Sequence, residues 1–198
     1  MRSAAMILGL ALVLADAGRA DAEYIQYTLR TTASGSLGGR DFADRSLLIV
    51  GYGDTSQIVS PSPGIFNLQL FANSVIIDGF PAASFELTGL VVGLDQDAGG
   101  VGFLYGPSLS PILGVASRGL ASYDLATADG PFEGDTIFAP NPPLETTAGS
   151  LILLAPADRS EFSSSVVAGP AVPEPASLAL AATGAAGVAG LARRRRRA

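Results

Sequence analysis

Ile25-Gln26-Tyr27-Thr28-Leu29-Arg30 decides the class of fold: apolar and polar residues alternate with a period of two, the pattern of a strand with one buried face. The same alternation returns in Ile65-Phe66-Asn67-Leu68-Gln69-Leu70-Phe71, which turns Phe66, Leu68 and Leu70 inward, and along the face shared by Phe162, Ser164 and Val166. Leu47-Leu48-Ile49-Val50 and Leu151-Ile152-Leu153-Leu154 are short continuous apolar runs, expected of strands covered on both faces. No window of a dozen residues between 23 and 172 carries the i, i+3, i+4, i+7 stripe of an amphipathic helix.

Clusters of turn-forming residues separate these runs. They include Ser34-Gly35-Ser36-Leu37-Gly38-Gly39, Gly51-Tyr52-Gly53-Asp54, Pro61-Ser62-Pro63-Gly64, Asp78-Gly79 and Asp95-Gln96-Asp97-Ala98-Gly99-Gly100. Glycine supplies positive φ and Asx side chains cap their own backbone, so each cluster has a mechanism for turning the chain. Gly99-Gly100-Val101-Gly102 lacks both the G-x-G-x-x-G frame and a following helix pattern, and reads as a loop. Eight to ten short strands at this spacing predict an all-β domain over residues 23–167, a β-sandwich or jelly roll of two stacked sheets.

Composition removes much of the enzymatic repertoire. The 198 residues include no cysteine, histidine, tryptophan or lysine, and all twelve basic residues are arginine. Disulfides, thiol nucleophiles, Cys/His metal sites, His-based triads and Schiff-base lysines are therefore excluded. Hydrophobic content of 48% is too high for a disordered chain. Between residues 23 and 172, five arginines stand against fifteen carboxylates, a net charge of −10 that repels nucleic acid and anionic lipid.

The two ends read as export machinery. Arg2 precedes an uncharged stretch from Ser3 to Ala15, and Ala20-Asp21-Ala22 is a small-x-small cleavage site, so residues 1–22 are expected to be a signal peptide cut after Ala22, with Ala20 and Ala17 as the alternative sites. Residues 168–172, Ala168-Gly169-Pro170-Ala171-Val172, read as a linker. The prolines of Val172-Pro173-Glu174-Pro175 then break regular structure. Ala176 to Ala192 is uncharged, and as a helix would span about 25 Å against a hydrocarbon core of roughly 30 Å. Arg193, Arg194, Arg195, Arg196 and Arg197 follow, a cluster that holds its end in the cytoplasm. A single C-terminal transmembrane helix over 176–192 is expected, with everything before it facing away from the cytoplasm.

Taken in order, Pro173-Glu174-Pro175, the apolar stretch and the arginine cluster resemble the PEP-CTERM sorting signal of exosortase substrates, over residues 172–198. The resemblance implies a Gram-negative bacterium that makes exopolysaccharide. It also implies recognition of Val172, Pro173, Glu174 and Pro175 by an integral-membrane exosortase, cleavage near them, and release or transfer to the cell surface or matrix. The expected partners are thus an exosortase-type membrane peptidase, the membrane through the C-terminal helix, and exopolysaccharide, with no nucleic acid.

Candidate chemistry in the exported part is sparse. Asp95 and Asp97 form a D-x-D fragment of a calcium loop without the third oxygen ligand and terminal glutamate of an EF-hand, so an acidic turn competes with a calcium site. Glu133-Gly134-Asp135 could contribute to a glycosidase pair, which needs two carboxyls about 5 to 10 Å apart across a cleft. Without tryptophan, Tyr24, Tyr27, Tyr52, Tyr105 and Tyr123 are the only residues of their kind for sugar stacking, and most are expected to pack in the core or at an edge. The reading is a non-catalytic structural or adhesive module with no cofactor. A carbohydrate-binding module and a carboxylate-dependent glycoside hydrolase are the alternatives.

Overall fold

The structure, a computed structural model, describes residues 23–168 apart from 87–88, 106–108 and 141. The expected signal peptide, the linker after Ala168, the apolar helix and the arginine tail lie outside the described residues. Among those described, no helix is long and apolar enough to cross a membrane.

Among the described residues eleven strands form: β1 (Tyr24–Leu37), β2 (Arg40–Asp54), β3 (Val59–Ser62), β4 (Ile65–Gln69), β5 (Ala72–Ile77) and β6 (Leu90–Asp95). Then come β7 (Gly100–Tyr105), β8 (Ser110–Ala116), β9 (Phe132–Ile137), β10 (Leu151–Pro156) and β11 (Arg159–Val167). All pairings are antiparallel, in the order β3-β4-β6-β7-β8-β9-β11-β1-β2-β5, with β10 attached to β1 beside this path. The all-β expectation holds. The two separately hydrogen-bonded sheets of a sandwich do not appear: the ladder is one continuous open sheet.

A two-residue corner explains how one sheet encloses a core. The Leu70 N–H donates to Leu90 O on β6, and the next residue, Phe71, donates to Tyr52 O on β2. The chain therefore passes from one flank of the ladder to the other within two residues, a bend of the kind that lets a strand change partners. The inward faces of the two flanks then meet. Leu68 and Leu70 at the β4 flank, with Phe103 of β7, fill the space above Gly51 and Gly53 of β2, where a Cβ on Gly53 would stand 2.5 Å from Leu68 Cδ2. Gly51-Tyr52-Gly53-Asp54 is consequently strand and not turn. Its glycines serve close approach across the core.

The β1–β2 hairpin reverses at Gly38 and Gly39, with φ of +56° and +78°, as a two-residue turn of the primed type requires. The expected turn cluster at 34–39 shrinks to this pair. Ser34 to Leu37 continue β1 past a bulge at Ala33/Gly35, where Ser34 Oγ accepts from the Asp44 N–H at 3.0 Å. The bulge lets one strand serve two partners: Tyr24–Arg30 pairs with β11 and Ala33–Leu37 with β10. Because β10 lies beside the main path, its apolar run is covered on one face only, and Leu154 is 70% exposed.

Ile25, Tyr27 and Leu29 are fully buried, as their alternation implies. Tyr27 stacks on Phe162 at 6.0 Å between centroids, and Tyr123 meets Phe162 at 6.2 Å and Phe132 at 5.3 Å. The two phenols differ in their polar ends. The Tyr27 hydroxyl donates to Leu125 O at 2.6 Å, whereas the Tyr123 hydroxyl is buried beside Ser164 without a hydrogen bond of good geometry. Tyr27→Phe should cost about 1–2 kcal/mol by orphaning that carbonyl, while Tyr123→Phe should be near neutral in chemical denaturation. Burial first, then the neighbouring acidic groups, raises both phenols above their ordinary range. The folded chain thus keeps protons that the unfolded chain releases above pH about 10, so stability is full below that pH and falls above it. Each Tyr→Phe change should flatten that alkaline fall.

Candidate functional site

Several concavities mark the described surface, beside one acidic turn. One is a trough across the outer face of β4, β6, β7, β8 and β9. Asn67, Gly93, Gly102, Gly114 and Ile137 fall in register across these five strands, each paired with the next. A Cβ on Gly102 would come within 2.6 Å of Gly114 Cα, and one on Gly114 within 2.6 Å of Val101 O. The strands converge on this face, so only glycine fits, and the convergence hollows the sheet. Gly100-Val101-Gly102 is therefore strand and not loop; only Gly99, at φ +64°, belongs to the turn. Ile65, Leu104, Leu109 and Pro111 contribute to an apolar lining around a volume of about 380 Å³. Asn67 and Asp95 supply its polar side chains.

A second, polar hollow of about 270 Å³ lies on the outer face of β9, β11, β1 and β2. Glu133 stands directly across from Glu161, Glu161 across from Arg30, and Arg159 across from Asp135. Like charges directly opposite one another destabilise a ladder, and the flanking arginines offset that repulsion. Among the described residues the one ion pair within 4 Å is the exposed Arg45–Asp78 contact at 3.7 Å. Glu133 and Asp135, two apart on β9, share this sheet face, so the sequence-suggested pair sits on an open surface and not across a cleft.

In the acidic turn, Asp95 Oδ1 accepts from the Ala98 N–H at 2.8 Å and the Gln96 N–H donates to Gly64 O at 2.9 Å. Asp97 lies beside Gly64. Asp95 thus caps the β6–β7 turn. Among the described residues no group of three or more acidic side chains is placed to hold a metal, whereas calcium takes six to eight oxygens. Tyr27 and Tyr123 are core residues, and Tyr24 packs edge-on against Phe71 at 5.6 Å. Ala20, Ala22, Val172, Pro173, Glu174, Pro175 and Arg193–Arg197 lie outside the described residues.

The trough was not visible in the sequence, since its floor is contributed one glycine at a time by three strands and only their register assembles it. The sorting signal, in contrast, is linear. An acidic all-β domain followed by Pro-Glu-Pro, an uncharged stretch and an arginine cluster defines an exported protein with a C-terminal sorting tail. Residues 171–197 match the family model of the PEP-CTERM protein-sorting motif. The chain thus carries a PEP-CTERM protein-sorting motif at its C-terminal end, and that motif implies an exported target of exosortase with a membrane-anchored sorting signal. No curated protein and no solved structure matches the chain.

Proposed function

We propose that this protein is a non-catalytic structural or adhesive β-module of the cell surface or exopolysaccharide matrix of a Gram-negative bacterium. Residues 1–22 direct export. Residues 176–192 and Arg193–Arg197 then hold the chain at the inner membrane until an exosortase-type peptidase cuts near Val172-Pro173-Glu174-Pro175. The match at residues 171–197 carries this reading. The exported part supports it by its charge, −10 over residues 23–172, which favours solubility outside the cell. Its two outermost strands add to this. β3 is four exposed residues including Pro61, and β5 is covered through the Val75–Ala83 bridge, so neither edge invites uncontrolled strand addition.

A carbohydrate-binding module is the second reading. The polar hollow favours it, since Arg30, Arg159, Glu133 and Glu161 offer donors and acceptors suited to sugar hydroxyls. Intact mass and fractionation of the native product test the leading reading. Material lacking the first ~22 residues and the arginine tail, recovered with the surface or matrix fraction, is the expected result. An uncut product in the cytosol would overturn it.

A further inference from the structure

We propose that the trough across β4, β6, β7, β8 and β9 binds one aliphatic chain bearing an uncharged or amine head group. This goes beyond sorting and surface attachment and uses residues that neither requires. The volume of about 380 Å³ falls in the range of small-molecule sites, roughly 300–1,000 Å³. Its floor is backbone at Gly102 and Gly114, with the Leu104 side chain lying over Gly93, which lets a thin chain lie against the sheet beside an aliphatic wall. No aromatic ring lines it, so sugars and nucleobases lack a stacking platform, while aliphatic walls reward methylene groups.

The rim departs from what an unused surface needs. Leu109 is 38% exposed and held at φ +50°, a left-handed conformation that leucine adopts at a cost. One end of the trough is acidic. Asp95 is fixed there by the Ala98 N–H, and Asp97 follows in the same turn. In a domain of net charge −10 a carboxylate head group is repelled from that end, whereas an amine or hydroxyl finds an acceptor.

The test uses the protein as recovered from the exported fraction, with the neutral apolar reporter N-phenyl-1-naphthylamine. Reporter fluorescence should rise and saturate at one molecule per chain. Decanol and decylamine should displace it at least tenfold more effectively than decanoate. Ala98→Phe, which sets a ring over the trough from the exposed turn, and Leu109→Asp, which charges the rim, should each weaken reporter binding tenfold with an unchanged melting temperature. Leu154→Asp, at the most exposed large apolar side chain among the described residues and away from the trough, should leave binding intact. The proposal is overturned if binding fails to saturate, if both trough variants bind as the unaltered chain does, or if decanoate competes as well as decylamine. A concentration-dependent dimer that excludes the reporter would assign the trough to a second copy instead, and would also overturn it.

Discussion

Replacing Pro173, Glu174 and Pro175 together by alanine should leave the exported protein at its full C-terminal length and retain it in the membrane fraction. Two physical effects act in the same direction. The prolines keep the residues before the apolar stretch out of helix, because each lacks an N–H and disfavours helix in the residue ahead of it. A peptidase needs an extended backbone, and a Pro-x-Pro sequence favours one. Alanine is the strongest helix former, so the triple variant invites the helix expected over 176–192 to grow backward through the cleavage region. It also removes Glu174, the one acidic side chain between residues 168 and 198. Intact mass should move from a product without Arg193–Arg197 to one that carries them, with at least a tenfold loss of released protein. The β-domain is untouched, so its melting temperature should not change. A triple variant that is cut and released like the unaltered chain would sink the sorting account.

What the sequence disclosed, and what it hid, divides along one physical line. Ile25, Tyr27 and Leu29 were legible because β1 has water on its other face, which forces alternation. Leu90-Val91-Val92-Gly93-Leu94 of β6 and Gly100-Val101-Gly102-Phe103-Leu104 of β7 show no such alternation, since their outward residues line an apolar trough. The central strands of the trough, β6 and β7, were therefore the ones without a periodic signature, whereas β4 at its margin kept one. Glycine misled for a related reason. Gly38 and Gly39 turn the chain, but Gly51 and Gly53 make room for Leu68, Leu70 and Phe103, and Gly102 and Gly114 make room for each other's strands. Nothing local separates these uses, because the crowding atoms arrive from distant positions. Likewise, the period-2 pattern is satisfied equally by two stacked sheets and by one sheet returned on itself. The corner at Leu70 and Phe71, a matter of two hydrogen bonds, makes the difference. The sorting tail escaped this limit because its meaning lies in the order of its parts along the chain.

Phe162→Ala should produce the largest loss of stability among core substitutions in β11. Phe162 is fully buried and lies opposite Leu29 of β1 on one side and Phe132 of β9 on the other. Its ring stacks on Tyr27 and meets Tyr123 edge-on, so it is the common neighbour of an aromatic group drawn from three segments of the chain. β11 is the one strand joining β9 to β1 in the ladder, and its inward side chain therefore ties the β3–β9 flank of the sheet to the flank of β1, β2 and β5. Truncation forfeits the transfer of the ring from water and leaves a cavity that two stiff neighbouring tyrosines cannot fill. Phe→Ala in such a site costs about 3–5 kcal/mol, against a total of about 5–15 kcal/mol for a domain. At roughly 2–4 °C per kcal/mol for a domain near this size, the melting temperature should fall by about 10 °C. Phe162→Leu retains most of the volume and should lose markedly less. Leu154→Ala, on the exposed face of β10, should stay within about 0.5 kcal/mol of the unaltered chain. Urea unfolding of the three variants checks the ranking. If Phe162→Ala were no more costly than Leu154→Ala, the aromatic group could not be the link that holds the returned sheet closed over its core.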